Sequence, residues 1–598
     1  MQIINYGETP EGIIFSDLGA LCQPAEYIST QYLCDKWTSI PYETAAVSGT
    51  MLSAFSTAAP ETVSLQPDLT GWYKIYVSMM DNPANRVFLR LTDDPAQSVI
   101  VPSSETYEWT MMKWDRFQEG FWKCADMTGQ SVEITKRAGL GTVGCRLGWF
   151  RFVPMSEDEI QEWIKEENRK DTKRLFATCD MFSLVATQAP QNHEHWRSII
   201  ENMKHSDVDI FSLDEDIVAD DFVDTEHGPN SSYDEEVRKV LYLGMLKKNK
   251  ALYEYLIRAG HESGLKIYLS KRMGAKVGSA YPYAEEYVGR EFGKAHPELR
   301  CKNRDGKWVD SLSLAYPLVQ DHMISDFERM AELDCDGVTL IYTRGIPYVL
   351  FEEPVLERFQ QQYPGVNPRE LPLADERVHG LHCEIMTEFM RKLRRRLDET
   401  CKRLGRRPLA IHAYVGSSLE ENRQFALDVE EWAREGLVNS ISVYPLAIRE
   451  RLEGLMQEDH PELIDLEKYR KASRESFHKI IHRDIEHMWH IDPRAAKEYV
   501  QMCKKYGVKV YVDLLDRLRK SEDYVADALE FIEQGVENFS LWDCEARAEV
   551  KAEWETASRL GHIEELKGGG FTHNAAHLYR ILQIGGRSIE LYSPSWMT

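Results

Sequence analysis

Two hydrophobic patterns divide this chain. Up to about residue 155 the apolar positions come in short alternating runs rich in β-branched and aromatic residues: GWYKIYVSM from Gly71, RVFLRLT from Arg86, QSVEITK from Gln130 and CRLGWFRFVPM from Cys145. Segments such as DNPAN and DDPAQ separate them with turn chemistry. No convincing amphipathic helix interrupts the series. The pattern predicts an all-β sandwich, jelly-roll-like, over residues 1–155. Residues 156–174, SEDEIQEWIKEENRKDTKR, then predict a linking helix. Ser156 opens an S-x-x-E capping box, with acids in the first turn and bases in the last.

From Leu175 the period changes, and strand-like runs alternate with helical ones. Eight runs read as strands: LFATCDMF (from Leu175), VDIFSL (Val208), LKIYLS (Leu265), GVTLIY (Gly337), PLAIHAYV (Pro408), VNSISVYP (Val438), VKVYVDLL (Val508) and VENFSLWD (Val536). Helical stretches such as DHMISDFERMAELD and AAKEYVQMCKKYG lie between them, many ending near a glycine that can cap them. Eight such units predict a closed (β/α)₈ TIM barrel over residues 175–562, an α/β fold. No G-x-G-x-x-G follows the first strand, which argues against a dinucleotide fold. The interval Ala275 to Ser311 reads as an insertion on the third unit, and long loops in compact domains are usually functional. The tail, 563–598, predicts a β-hairpin about Gly585-Gly586 that docks back on the body.

Bulk composition narrows the function. Apolar residues make up 43% and charged residues 28% of 598, as in a globular protein, and the formal net charge is −25. So acidic a surface repels phosphate backbones, so no nucleic-acid partner is expected. No run of about 18 apolar residues is present, so no membrane partner is expected either. The start, MQIINYGETPEG, lacks the features of a signal peptide. The eleven cysteines include no C-x-x-C pair. Both point to a cytoplasmic location with free thiols packed as small hydrophobes. No cofactor is expected: GGGFTH at Gly568 lacks the Lys-Ser/Thr of a phosphate loop.

In barrels of this kind the strand C-termini and the loops after them form the active face. The strand ends nominate Asp180; Asp214, Glu215 and Asp216; Lys271 and Arg272; Tyr342, Arg344, Glu352 and Glu353; His412 and Tyr414; Tyr444; Asp513 and Asp516; and Trp542, Asp543, Glu545 and Arg547. Acids, arginines and flat rings on one rim suit glycoside hydrolysis. One carboxylic acid protonates the leaving oxygen, and a second carboxylate attacks or activates water. Glu352 is favoured over Glu353, because Glu353 precedes Pro354, which can begin the next helix. Asp513 closes an apolar strand, a costly place for an acid unless it lines a polar site.

Competing readings stand beside these. Asp214 to Asp216 can be a polar loop only, and Asp543 can pair with Arg547 as structure. Asp336 lies before the fourth strand, at the stability end of the barrel, where it caps the preceding helix sooner than it joins a site. Histidines 478, 482, 487 and 490 fit a surface helix better than a zinc site, since the H-E-x-x-H glutamate is missing. In the β-region, one of Trp72 and Tyr73, with Trp122 and Trp149, fills a core sooner than it presents a sugar platform.

By LIYTRGIPYVLFEEPV, DVEEWAREGLVNSISVYP and SLWDCEARAEVKAEWETASRLGH, the chain resembles the uncharacterised bacterial family 10-like glycosyl hydrolases over about residues 175 to 598. The resemblance implies a TIM barrel and a carbohydrate substrate, and brings no established catalytic residues. True family-10 xylanases place Asn-Glu at the end of strand four and Glu at strand seven. Here those ends are Tyr342-Thr343-Arg344 and Asp513. The acids therefore rest on position.

The combined expectation is a glycoside hydrolase acting on an oligosaccharide or glycoside. Glu352 or Asp513 is the proton donor, and Asp543 or Asp513 the partner carboxylate. Asp180, Asp214, Arg272, Tyr342, Arg344, His412 and Trp542 bind substrate, with a uronate as a secondary guess from the basic residues. The alternatives are a non-catalytic carbohydrate-binding protein and a metal-dependent hydrolase or lyase on the same barrel, though no metal ligands are assigned. A homo-oligomer is compatible with the sequence.

Overall fold

The structure is a computed structural model. It describes residues 11–55, 58–82, 85–102, 115–137, 144–181, 184, 188, 190, 192–214, 250–274, 291–343, 345–372, 375–444, 491–514, 520–572 and 576–588.

Eight parallel strands close into a barrel in chain order: Leu175–Cys179, Val208–Asp214, Lys266–Arg272, Gly337–Ile341, Ala410–Val415, Ser440–Val443, Lys509–Asp513 and Phe539–Leu541, with the first pairing the last. They are called the first to eighth strands below. Their residues are buried almost throughout, because helices cover the outer face while side chains fill the inner one. The barrel is of TIM type.

Side-chain alternation sets two inner layers. Each strand, or the residue just after it, sends one large side chain to a shared inner cluster: Phe176, Ile210, Tyr268, Ile341, Tyr414, Tyr444, Tyr511 and Trp542. Between them lies a polar layer. Ser212 and Thr339 hydroxyls meet at 2.9 Å, and His412 lies between Ser440 and Ser442 at 2.8 and 3.0 Å. The polar atoms in this layer are paired, as burial demands. At the N-terminal end of the barrel, Asp336 accepts the Ile267 N–H at 3.0 Å and bonds Arg407 at 2.7 Å. That makes it a brace at the stability end and not the expected helix cap, since the preceding helix is capped at Glu332.

The β-region holds two sheets, antiparallel except where Ile28–Ser29 runs parallel to Trp37–Thr44. The smaller has four strands, and its residues Val63, Leu89, Val132 and Ile134 share one apolar cluster with Leu52, Ile75, Leu147 and Phe150 of the larger. Trp122, Trp149 and Tyr73 are buried, which fits the core reading of these aromatics. The tail is not a surface appendage. Strand His577–Ile584 turns at Gly585-Gly586, both at positive φ, into Arg587–Ser588, and it pairs with Arg116–Asp126 on one side and Trp37–Thr44 on the other. The larger sheet thereby returns on itself, with Tyr579 and Ile581 in its interior cluster.

Helix Glu157–Glu167, started by the Ser156–Glu159 capping box, leads from the β-region to the barrel. On the active-face side, Glu549 receives Arg86 of the β-region at 3.1 Å and Gln188 of the loop after the first strand at 2.7 Å. Its carbonyl also accepts the Val101 N–H at 2.8 Å. No described helix is long and apolar enough to cross a membrane.

Candidate active site

The rim residues fall in two linked groups. In the first, strands one to three end together. Arg272 Nη2 lies 3.2 Å from Asp180 Oδ2 and 3.5 Å from Asp214 Oδ2. The inward parity of these positions follows from Tyr268 and Ile210 below them in the inner cluster. Arg272 is thus matched by two carboxylates, which weakens the case for a uronate. Lys271 has the opposite parity and reaches outward to Asp326 at 2.6 Å.

The second group stands at strands seven and eight. Asp513 is 1% exposed and accepts Ser540 Oγ on Oδ2 at 2.9 Å. Its Oδ1 is buried and makes no hydrogen bond among the described residues. Burial pushes its carboxyl up from 3.8 to about 7. The Arg547 charge, Ser540 and the Trp542 amide oppose that rise, while the neighbouring Asp543 adds to it. Such a group exchanges a proton near neutral pH, which is what a general acid needs.

Asp543 is also buried and sits in the left-handed region, φ 53° and ψ 57°, at the turn into helix Cys544–Arg547. Its N–H donates to Thr178 Oγ1 at 3.0 Å, anchoring the turn to the first strand. That backbone costs a non-glycine residue about 1 kcal/mol or more, and such outliers gather at functional sites. Glu545, on the same short helix, accepts the Asp180 N–H at 3.0 Å and so joins the two groups. Trp542 packs 5.1 Å from both Tyr414 and Tyr444, forming an aromatic floor.

Three expected site residues lie elsewhere. Glu352 is fully buried and caps helix Glu353–Gln362. It accepts the Ser313 hydroxyl and the N–H groups of Leu350 and Lys302, the last two at 3.1 and 3.2 Å. Burial raises its pKa against those bonds, but the carboxyl is spent on pinning the hairpin of Arg300–Lys302 and Trp308–Leu312 to the loop after strand four. A fully occupied structural carboxyl is a poor proton donor, so the catalytic assignment to Glu352 is corrected. Tyr342 is corrected too. It follows the inward Ile341, so it faces the helices, packs on Trp432 and donates to Met390 Sδ at 3.0 Å. His412 points inward but one layer too deep. It is stacked on Phe176 at 3.9 Å, with burial holding its pKa well below 6.5. The rim residue of that strand is Tyr414.

Arg344, Glu215, Asp216, Asp516 and histidines 478, 482, 487 and 490 lie outside the described residues, as does 275–290 of the insertion. Ser540 and Thr178, which orient the two key acids, were not nominated from sequence. Their signal is the serine and threonine content of inward positions on otherwise apolar strands.

Neither a protein-family model nor a curated protein matches the chain. Among solved structures, it is similar to the glycoside hydrolase domain of PgaB (BpsB) from Bordetella bronchiseptica, with TM-score 0.35 and 12% identity over 63% of this chain and 98% of that one. It is similar also to the α-L-fucosidase isoenzyme 2 from Paenibacillus thiaminolyticus, with TM-score 0.37 and 12% identity over 67% and 50%. A third is the α-galactosidase TtGalA from Thermus thermophilus, with TM-score 0.32 and 10% identity over 88% and 99%. At such scores the likeness carries no functional weight.

Proposed function

We propose that the chain is a glycoside hydrolase in which Asp513 donates the proton to the departing glycosidic oxygen. Asp543 is the partner carboxylate. Asp180, Asp214 and Arg272 bind sugar hydroxyls, and Trp542 with Tyr444 offers an apolar ring face. The two β-sheets serve as a sandwich-type unit bracing the rim, with its tryptophans in the core.

One observation supports this reading above the rest. A carboxyl at a barrel strand's C-terminal end is raised to about 7, has one buried oxygen unbonded among the described residues, and has a second carboxylate beside it. A binding protein has no need of an acid so tuned.

The test is hydrolysis of a panel of 4-nitrophenyl glycosides and end-labelled oligosaccharides across pH 4 to 9 (about the range that brackets a carboxyl near neutrality). Wild type should lose activity as pH rises through the Asp513 value. Asp513→Asn should lower kcat by about 10²- to 10⁴-fold with substrate binding intact. Folded wild-type protein that cleaves nothing on the panel, or a fully active Asp513→Asn, overturns the proposal.

A further inference from the structure

The second acid group contains a cation that the proposed chemistry does not use. Arg547 is 3% exposed, at the end of helix Cys544–Arg547. Its Nε donates to the Trp542 carbonyl at 2.8 Å and its Nη2 to the Leu514 carbonyl at 2.9 Å. Its Nη1 donates to the Tyr524 hydroxyl of helix Ser521–Glu533. Leu514 directly follows Asp513, and Trp542 directly precedes Asp543. One flat, rigid group therefore joins the backbone beside each of the two carboxylates. Only a guanidinium has donors spread in a plane to do this, since a lysine ammonium is a single point.

We propose that Arg547 is the positioning residue of the acid pair, bridging the ends of strands seven and eight so that Asp513 and Asp543 keep a fixed separation. This rests on the reading of those two residues as the acid pair. The bridge also has an electrostatic side. Among the described residues, those facing the Asp513 carboxyl are Asp543, Cys544 and Arg547 from the turn after strand eight, Ser540 on strand eight and Tyr414 on strand five. Arg547 is the cation among them. Its charge holds the Asp513 proton affinity down against burial. Loss of the charge should let the proton stay on to higher pH, by roughly one to two pH units.

The experiment is a pH titration of the protonated-carboxyl C=O band by difference infrared spectroscopy on the full chain. The Asp513 band is identified by its absence in Asp513→Asn. Arg547→Met should move its midpoint upward by roughly one to two pH units. Arg547→Lys keeps the charge but cannot span both carbonyls. Its midpoint should stay near that of wild type, while kcat on a 4-nitrophenyl glycoside that wild type cleaves falls about tenfold or more at unchanged KM. An unmoved midpoint in folded Arg547→Met overturns the electrostatic part. Wild-type kcat in folded Arg547→Lys overturns the bridging part, and this variant decides the matter alone where Arg547→Met does not fold. Full turnover in Asp513→Asn would instead sink the acid-pair reading, and it is scored separately from any midpoint.

Discussion

Replacing Asp513 by Asn should cripple turnover and yet make the folded protein more stable, increasingly so as pH rises. The folded-state carboxyl titrates at about 7 against 3.8 in a free chain. The native state therefore holds this proton more tightly than the unfolded one. Below about pH 4 both states are protonated and the site costs nothing by this route. As pH climbs through the interval, the unfolded chain gives up its proton and the native chain keeps it, so stability falls. Above about pH 7 both are ionised and the loss levels off. The full interval from 3.8 to about 7 corresponds to roughly 4 kcal/mol, less than half of it falling below pH 5. Asn is neutral and of the same shape, and its carbonyl can still accept Ser540 Oγ. Its amide then occupies the unbonded Oδ1 side, a fixed cost of about 1 kcal/mol that does not vary with pH. The gain over wild type should therefore grow by roughly 2–3 kcal/mol between pH 5 and pH 8. Calorimetric unfolding of both proteins at the two pH values reads this directly, because every other titrating group is common to the pair. A stability difference that is flat with pH, or that shrinks toward pH 8, refutes the account of Asp513.

Two other outcomes follow from the geometry. Glu352→Ala strands the Ser313 hydroxyl and the Leu350 and Lys302 amides in a buried place, and should cost about 2–4 kcal/mol in thermal unfolding. It should leave the pH profile of hydrolysis unmoved, and a shifted alkaline limb would return Glu352 to the chemistry. In the larger β-sheet, Ile581→Ala empties a core position on the tail strand and should cost about 2–4 kcal/mol. Deleting residues 577–598 should unpair two strands at once and expose residues 11–155 to limited proteolysis, whereas an unchanged digestion pattern would mean that the tail strand closes nothing.

The barrel was readable because its strands are buried on both faces. Parallel strands under helices appear as continuous apolar runs, and each of the eight predicted runs overlaps an observed strand. The β-region was readable for the opposite reason, alternation in short runs between turn residues. The tail hairpin was legible from Gly585-Gly586, but its partners were not. Nothing local in HLYRILQI says that it will fit between strands that lie more than 400 residues earlier in the chain.

The site was legible only as far as parity and depth were. Tyr342 and His412 fail for different reasons that the same count exposes. On strand four, Thr339 and Ile341 face inward, so Tyr342 must face out. On strand five, His412 and Tyr414 both face inward, and only the later one reaches the rim. Glu352 fails for a third reason, since its fate depends on Lys302 in the insertion and Ser313 just beyond it, some 40 to 50 residues away. The residues that did converge share a feature that neither Tyr342 nor Glu352 has, and that His412 has only one layer too deep. Asp180, Asp214, Arg272 and Asp513 lie two positions beyond an inward residue of their own strand, and Asp543 follows Trp542 through a left-handed turn. A charged side chain at that register has no hydrophobic layer left to enter and no helix to face. It must meet the charges of neighbouring strands. That register, more than the number of acids in the loops, is what concentrates ionisable groups on one rim, and burial at that rim is what shifts Asp513 away from ordinary carboxylate behaviour.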